Sequence, residues 1–294
     1  MTKTLPNNPN RTMSRADFEI PVIRACAEAV QDTQRFLKAQ GMQYSHWCGQ
    51  LDDAHLQNGS TRANEGTDYE PLDWAFDEPS FPWFTLWEYA WTLWHSGLHR
   101  GDSTYLMKAL SPARYSETWN TPRRRILSLG GSSSSFELTL ARMGHKVTII
   151  EQRPYTCANT REIAKKTGWD IQVLEGKIED EILTLAGDPS APEFDHVVSI
   201  NVLHLAGYDA QTACRNLLHN LIRPGGRASF TFDYLNPNPK RYVDDPFKHF
   251  KWAGFKPWGA RPEVFTDNGE RGHFFYPDPM KGYYTAGALF LERC

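Results

Sequence analysis

The chain has 294 residues, a formal net charge of −3 and a sequence pI near 6.4. This length accommodates one elaborated α/β domain or a domain with a substantial appendage. The nearly balanced charge argues against a nucleic-acid partner, because domains that bind nucleic acid usually carry a basic stripe and have a pI above about 9. A small or neutral substrate fits this composition better.

The five cysteines form neither a disulfide framework nor a zinc pattern, because their number is odd and no two lie close together: Cys26, Cys48, Cys157, Cys214 and Cys294. His95 and His99 are one helical turn apart, but no carboxylate completes a set of metal ligands, so no metal is predicted. The N-terminus lacks an apolar signal region, and no run reaches the roughly 18 apolar residues that a membrane span needs. We expect reduced thiols, a cytoplasmic protein and no association with a membrane.

The N-terminal part is predicted to be mostly helical. After a polar arm over residues 1–14, apolar residues at helical spacing predict a long helix from Arg15 to Gly41. A second helix is predicted in FPWFTLWEYAWTLWHSGLHRGD, whose tryptophans recur every three or four residues and share one face. We predict that residues 1–120 form an aromatic-rich helical cap on the substrate side.

The tryptophan stripe of this second helix, formed by Trp83, Trp87, Trp91 and Trp94, has two interpretations. It can wall a pocket for an aromatic, sugar or cationic substrate. Alternatively, its rings attach the N-terminal helices to the neighbouring domain, which is favoured because large aromatic side chains dominate the energetics of protein cores. Glu88 and Tyr89 lie beside the stripe and are within reach of a ligand in either case.

After Pro122 the sequence pattern changes to short apolar runs that alternate with helical stretches. This alternation is typical of βαβ units and a mainly parallel sheet. Five strands are predicted before the tail, over residues 125–130, 146–151, 171–176, 196–201 and 227–233. The tail offers two further extended runs, GFKPWGARPEVFTD and GYYTAGALFLERC, which we interpret as a strand pair that closes one edge of the sheet.

A glycine- and serine-rich turn, GGSSSSFE, follows the first predicted strand and opens a helix. Such a turn lets the backbone approach a ligand and directs free N–H groups at an anion, which makes Gly130, Gly131 and Ser132–Ser134 candidate cofactor-binding residues. Glu151 ends the second strand, where a carboxylate can accept hydrogen bonds from both hydroxyls of a ribose. Together they indicate a cofactor that contains adenosine, although a structural turn and an unrelated surface glutamate would give the same pattern.

The tips of the fourth and fifth strands face the ligand crevice of such a sheet and supply four candidates: Asn201, His204, Asp233 and Tyr234. Asn201 is predicted at the cofactor. His204 is the first candidate for a general base, because an imidazole titrates near neutral pH. The alternative is a histidine that is packed and hydrogen-bonded at the start of a helix. Asp233 and Tyr234 can orient a substrate or begin the turn into NPNP.

Residues 123–293 resemble the class I S-adenosylmethionine-dependent methyltransferases in five segments that occur in the expected order: ILSLGGSSSSFELTLA, VTIIEQ, EGKIED, FDHVVSINVLHL and LIRPGGR. LWEYAW and the closing YYTAGALFLERC are also similar to a poorly characterised bacterial subgroup of that superfamily. The resemblance implies a Rossmann-like, mainly parallel seven-stranded sheet with an antiparallel last strand over residues 121–294. It also implies S-adenosylmethionine as the cofactor and methyl transfer as the activity. We expect the acceptor to be an oxygen or nitrogen of a small molecule or glycan.

The resemblance extends to individual residues. It implies that Gln152 accompanies Glu151 at the cofactor, that Ile178 contacts the adenine and that Glu179 or Asp180 pairs with the adenine amine. Lys177 stands where the family often has an aspartate.

The cofactor loop departs from the family pattern. Its acidic residue and alternate glycines would fall on Ser128, Gly130, Ser132 and Ser134, and only Gly130 is retained. The serines can donate to the methionine carboxylate of the cofactor or cap the following helix. Two other functions stay open at this point, namely a NAD-dependent Rossmann oxidoreductase and a non-catalytic scaffold with the same fold.

Overall fold

The computed structural model of the protein describes residues 8–44, 83–99, 122–131, 134–191, 193–235, 243–259, 264–269, 272–273 and 283–294. Ser132, Ser133 and Cys48 lie outside the described residues, as do the side chain of Trp83 and most of the predicted cap.

A mixed sheet forms the centre of the fold, with β4-β3-β2-β5-β6 parallel and β9 antiparallel beside β6. Its strands are β1 Arg11–Thr12, β2 Arg125–Leu129, β3 Lys146–Glu151, β4 Ile171–Glu175, β5 Phe194–Ile200, β6 Ile222–Tyr234, β7 Phe255–Pro257, β8 Gly272–His273 and β9 Tyr283–Arg293. Strands β2–β7 and β9 reproduce the predicted seven-stranded, Rossmann-like α/β sheet with an antiparallel last strand. Two two-residue strands, β1 and β8, are additions that the sequence pattern did not predict.

These additions cover the outer edge of β9. Along that edge β8 pairs with Tyr283 and Tyr284, β1 with Gly287 and Ala288, and β7 with residues from Leu291 onward. An uncovered edge strand would expose unpaired N–H and C=O groups. The N-terminal segment therefore contributes a strand to the sheet that carries the ligand crevice.

Seven α-helices are described: α1 Pro21–Ala39, α2 Trp83–His95, α3 Ser135–Arg142, α4 Pro154–Thr167, α5 Ile178–Gly187, α6 Tyr208–Leu221 and α7 Pro246–His249. The prediction of one continuous helix from Arg15 was wrong, because a 3-10 turn over Arg15–Glu19 precedes α1. The two are separated by Ile20, which is extended (φ −80°, ψ 117°). A proline disfavours helical geometry in the residue before it, so Pro21 starts a new helix.

The helices cover both faces of the sheet. Helices α1, α2 and α3 share one apolar core with β2, β3, β5 and β9, and α4 joins α1 and α3 through Ile163. Helices α5, α6 and α7 pack on the opposite face. No described helix is long and apolar enough to cross a membrane, and no group of side chains within the described ranges could hold a metal ion.

Two tryptophans of α2, Trp87 and Trp91, take the structural role that the sequence favoured. Trp87 and Trp91 are fully buried and stack at 5.3 Å between ring centroids. The indole N–H of Trp87 donates to the Asp17 carboxylate at 2.9 Å, and that of Trp91 donates to the carbonyl of Pro9 at 3.0 Å. These two rings therefore attach the N-terminal segment to the sheet.

Candidate functional site

The loop after β2 depends on two glycines in left-handed backbone conformations, Gly130 (φ +75°) and Gly131 (φ +106°). A Cβ atom on Gly130 would lie 2.6 Å from Cγ1 of Val202, and one on Gly131 would lie 2.7 Å from Oε1 of Glu137. Both contacts are shorter than real Cβ contacts, and positive φ adds strain for any other residue. The backbone path therefore requires glycine at both positions, as expected for a loop that a ligand approaches closely.

The serine of the loop that the structure describes, Ser134, is the N-cap of α3. Its hydroxyl oxygen accepts the backbone N–H of Phe136 at 3.2 Å, and the Tyr89 hydroxyl lies 3.1 Å from the same oxygen. Of the two interpretations of the serines, the capping role is confirmed for Ser134. Tyr89 thereby connects α2 to the cofactor loop.

Glu137, in the first turn of α3, was missed by the sequence interpretation. Its side chain is fully buried against the loop, and Oε1 accepts a 2.7 Å hydrogen bond from the hydroxyl of Ser128 at the end of β2. The other oxygen, Oε2, is buried without a partner. Burial raises the pKa of Glu137 to about 7, the hydroxyls of Ser134 and Ser128 lower it, and the charge of Glu151 raises it. A carboxyl group thus adjoins the position where the family pattern has its acid and this chain has Ser128.

Glu151 ends β3 at the carboxyl edge of the sheet, as predicted. Its carboxylate is already engaged by Arg153, which donates its backbone N–H at 3.0 Å and two guanidinium hydrogen bonds at 2.9 Å. A carboxylate has about four lone-pair sites, so a ribose can share this group with Arg153. Gln152, the next residue, is exposed.

Ile178 and Glu179 begin α5, directly after the turn that follows β4. Ile178 is half-buried and packs against the core between the sheet, α5 and α6. The charge of Glu179 contributes to the raised pKa of the Cys214 thiol, which places Glu179 towards α6. Their contact with an adenine stays a prediction.

Asn201 follows β5 in a left-handed conformation with φ +52°. Its backbone N–H donates to the Thr231 hydroxyl at 2.9 Å, and its side-chain Oδ1 is buried without a partner. Positive φ is uncommon outside glycine, although asparagine tolerates it best, and such strain clusters at functional sites. Asn201 therefore keeps an unused acceptor beside the loop of Gly130.

His204 and Asp233 are brought together, but not as a free base and its partner. Nε2 of His204 accepts the backbone N–H of Asp233 at 3.3 Å and lies 3.6 Å from Oδ2 of the same residue. Nδ1 is buried without a partner. The residues around His204 form turns, and α6 begins only at Tyr208. A base role for His204 stays a prediction. Tyr234 follows Asp233 as the last residue of β6 and is half-buried, with its ring centroid 5.0 Å from that of Phe265.

A buried polar seam runs between α2 and β6. On β6 it consists of alternate residues facing α2, Ser229, Thr231 and Asp233; on α2 it consists of residues at helical spacing, Thr85, Glu88, Thr92 and Ser96. The inner end of the seam is closed by a hydroxyl pair, Ser96 and Ser229, at 2.7 Å. The outer end reaches Asp233 at the carboxyl edge of the sheet.

Glu88 is the carboxyl group that α2 contributes to this seam. It is fully buried, and neither carboxyl oxygen makes a hydrogen bond of normal geometry. Burial raises the pKa of Glu88 to about 8, with the nearby Thr231 hydroxyl lowering it and the Asp233 charge raising it. The hydroxyls of Thr85 and Thr92 on the same helix face are also buried without partners. Buried polar groups are normally satisfied, so this cluster is a candidate for contact with a ligand.

A comparison with family models indicates the activity. Residues 127–230, which run from β2 into β6, match the family model described as a methyltransferase domain. The match covers less than half of the chain and agrees with the superfamily that the five sequence segments indicate. It indicates methyl transfer, for which S-adenosylmethionine is the expected cofactor, and it favours this activity over the oxidoreductase and scaffold alternatives. The five segments named in the sequence thus identified the superfamily correctly.

Solved structures similar to this methyltransferase are distant. TehB from Haemophilus influenzae is 15% identical with a TM-score of 0.43, over 64% of this chain and 65% of that one, so the likeness spans just under two thirds of TehB. Magnesium protoporphyrin IX methyltransferase from Synechocystis PCC 6803, solved with bound S-adenosylmethionine, is 14% identical with a TM-score of 0.40, over 62% and 76% of the two chains. A TehB-like methyltransferase from Corynebacterium glutamicum is 16% identical with a TM-score of 0.39, over 57% and 80%. No curated protein sequence matches the chain.

Proposed function

We propose that this methyltransferase acts on a hydroxyl or amine of a small molecule or glycan, which it receives at the outer end of the polar seam between α2 and β6. The observation that carries the proposal is Glu88, a buried carboxyl group without a hydrogen-bond partner, beside Asp233 at the carboxyl edge of the sheet. Carboxyl groups and hydroxyls suit an acceptor that donates hydrogen bonds. They do not suit an apolar carbon acceptor.

The residues on the other side of the crevice fit the cofactor. The glycine pair forms a cradle that a Cβ atom would fill, and Asn201 and Glu137 each keep one buried oxygen without a partner. Gly130 and Gly131 would hold the amino-acid part, and Glu151 the ribose. When bound, S-adenosylmethionine supplies a methyl group on a positively charged sulfur.

Catalysis then rests largely on positioning, because methyl transfer is an in-line displacement that needs the acceptor atom close to the methyl carbon. Asp233 orients the acceptor, and His204 fixes the backbone of Asp233 through its 3.3 Å hydrogen bond. Glu88 takes the proton that the hydroxyl or amine loses. Since Glu88 is ionised only above its pKa of about 8, turnover rises with pH up to that value and then levels off.

The N-terminal segment serves this site as a cap in the same proposal. Glu88 and Tyr89 come from α2, so the helix that is attached by Trp87 and Trp91 also supplies groups to both sides of the crevice. Three free, buried cysteines fit a reducing compartment such as the cytoplasm: Cys26, Cys157 and Cys214. A small-molecule or glycan acceptor fits the nearly balanced charge of the chain.

The test is a screen for S-adenosylhomocysteine production with S-adenosylmethionine and panels of amines, phenols, alcohols and sugars. With an acceptor that is turned over, Glu88→Gln should lower kcat by about 100-fold, the usual scale of general base catalysis, and abolish the rise of kcat with pH. The affinity for S-adenosylhomocysteine should stay unchanged. Unaltered kcat and pH profile in Glu88→Gln would contradict the proposal, as would a carbon acceptor.

A further inference from the structure

Among the groups that the proposed reaction does not use, the carboxyl of Glu137 has the most unusual surroundings. It is fully buried at the loop that approaches the ligand, one oxygen bonded to Ser128 and the other without a partner. In the part of the chain that the structure describes, no lysine, arginine or histidine pairs with it. A buried carboxylate normally has a cationic or fully hydrogen-bonded partner.

The position of the group is fixed by the glycine pair. The atoms nearest to a Cβ built on Gly131 all belong to the carboxyl group of Glu137. Its two oxygens lie 2.7 and 3.3 Å from that position. Gly131 therefore lacks a side chain at the point where the carboxyl group meets the loop. This places the carboxyl group beside the loop backbone to which the proposed function assigns the amino-acid part of the cofactor.

Strand β2 cannot provide a charge there. It ends in Ser128 and Leu129, and the Ser128 hydroxyl also donates to the carbonyl of Gly130 at 3.0 Å. Glu137 arrives from α3, nine residues later in the chain, and reaches that same hydroxyl. Helix α3 therefore places a carboxyl group beside the end of β2, where the strand itself has none.

We propose that Glu137 binds the ammonium group of the cofactor and that cofactor binding is consequently coupled to the release of a proton. An ammonium group supplies both the charge and the N–H donors that Oε2 lacks.

The proton release follows from the charged groups around Glu137. Glu151, at the end of β3, faces it and is itself paired with Arg153. The neighbours from β2 and the start of α3 are the neutral hydroxyls of Ser128 and Ser134, and Tyr89 of α2 reaches Ser134. The pKa of about 7 means that Glu137 is largely protonated at pH 6.5 without ligand. An arriving cation lowers this pKa, so the proton leaves.

The experiment is calorimetric titration of the full chain with S-adenosylhomocysteine at pH 6.5, in buffers that differ in ionisation enthalpy. S-adenosylhomocysteine carries the ammonium group but no sulfonium charge. Its binding should therefore leave the protonation of Glu88, on the acceptor side, unchanged. We expect release of about half a proton or more by the wild-type protein, with affinity rising as pH increases towards 7.5.

Glu137→Gln should abolish the proton release and weaken binding by about 10-fold or more. Glu88→Gln is the matched control, because it removes the other buried glutamate and should leave both quantities unchanged. If Glu137→Gln does not fold, Ser128→Ala replaces it; loss of the hydroxyl that stabilises the carboxylate should move the midpoint of proton release to higher pH.

Proton release that persists in Glu137→Gln, or that disappears in Glu88→Gln, would overturn the inference. Wild-type binding without any proton exchange would do the same. None of these results depends on the identity of the methyl acceptor, so the inference can fail while the proposed function stands.

Discussion

The carboxyl edge of the sheet holds two buried glutamates with different surroundings, Glu137 on the cofactor side and Glu88 on the acceptor side. Burial raises the pKa of Glu137 to about 7, and the nearby hydroxyls of Ser134 and Ser128 limit this rise. Glu88 has one nearby threonine hydroxyl and the charge of Asp233, and its pKa lies at about 8. Burial thus raises the pKa of both carboxyl groups, and the two sites differ in the number of hydroxyls that oppose this rise.

The largest effect is expected where the cofactor side is most constrained. Gly131→Ala introduces a side chain at φ +106° against the carboxyl of Glu137, so the loop and the carboxyl must both move. We expect the affinity for S-adenosylhomocysteine, measured by calorimetry, to fall by about 100-fold or more. Gly41→Ala is the control, since Gly41 has φ +65° but no atom within 4 Å of an added Cβ, and it should leave affinity intact. Equal affinity in the two variants would show that the loop is not the cofactor cradle.

A smaller effect is expected at the ribose position. Glu151→Ala should weaken binding by about 1.5–3 kcal/mol, which is roughly 10- to 150-fold, as for hydrogen bonds to a charged group. Glu175 lies directly beside Glu151 in the register of β3 and β4 and is paired with Arg161, so Glu175→Ala is a closely matched control. Unchanged affinity in Glu151→Ala would remove this residue from the site. Proton release should persist in this variant, which separates the ribose contact from Glu137.

The smallest effect concerns stability on the acceptor side. The pKa of Glu88 is raised from 4.5 to about 8, so its protonated form stabilises the fold fully below pH 4.5 and this contribution is lost as pH rises through 8. The free energy of unfolding in urea should fall between pH 6 and pH 8, and Glu88→Gln should reduce that fall by about 1–2 kcal/mol. Glu28→Gln, on the surface of α1, should leave the pH dependence as it is. An identical fall in Glu88→Gln would contradict the account of its burial.

The sequence sufficed for features that depend on local pattern. The strand ends, the glycine pair and the position of Glu151 follow from apolar runs and turn residues, and the order of the segments identified the superfamily. The break at Ile20 could also have been predicted, because Pro21 excludes a continuous helix.

The features of the site that the sequence did not predict depend on contacts between distant segments of the chain. The seam between α2 and β6 joins residues about 140 positions apart, and nothing in either segment alone indicates that Glu88 meets Asp233. Arg153 occupies the carboxylate of Glu151, which the spacing of the two strands does not show. Glu137 had a local signal, an acid missing at Ser128 and a glutamate nine residues later, but its meaning depends on how α3 packs against the loop.

The most direct test of the account is a crystal structure of the protein with S-adenosylhomocysteine. We predict that its amino-acid part lies along Gly130 and Gly131, with the ammonium group hydrogen-bonded to Glu137 and the sulfur directed at Glu88 and Asp233. A bound S-adenosylhomocysteine whose ammonium group makes no contact with Glu137, or whose sulfur points away from the polar seam, would contradict it.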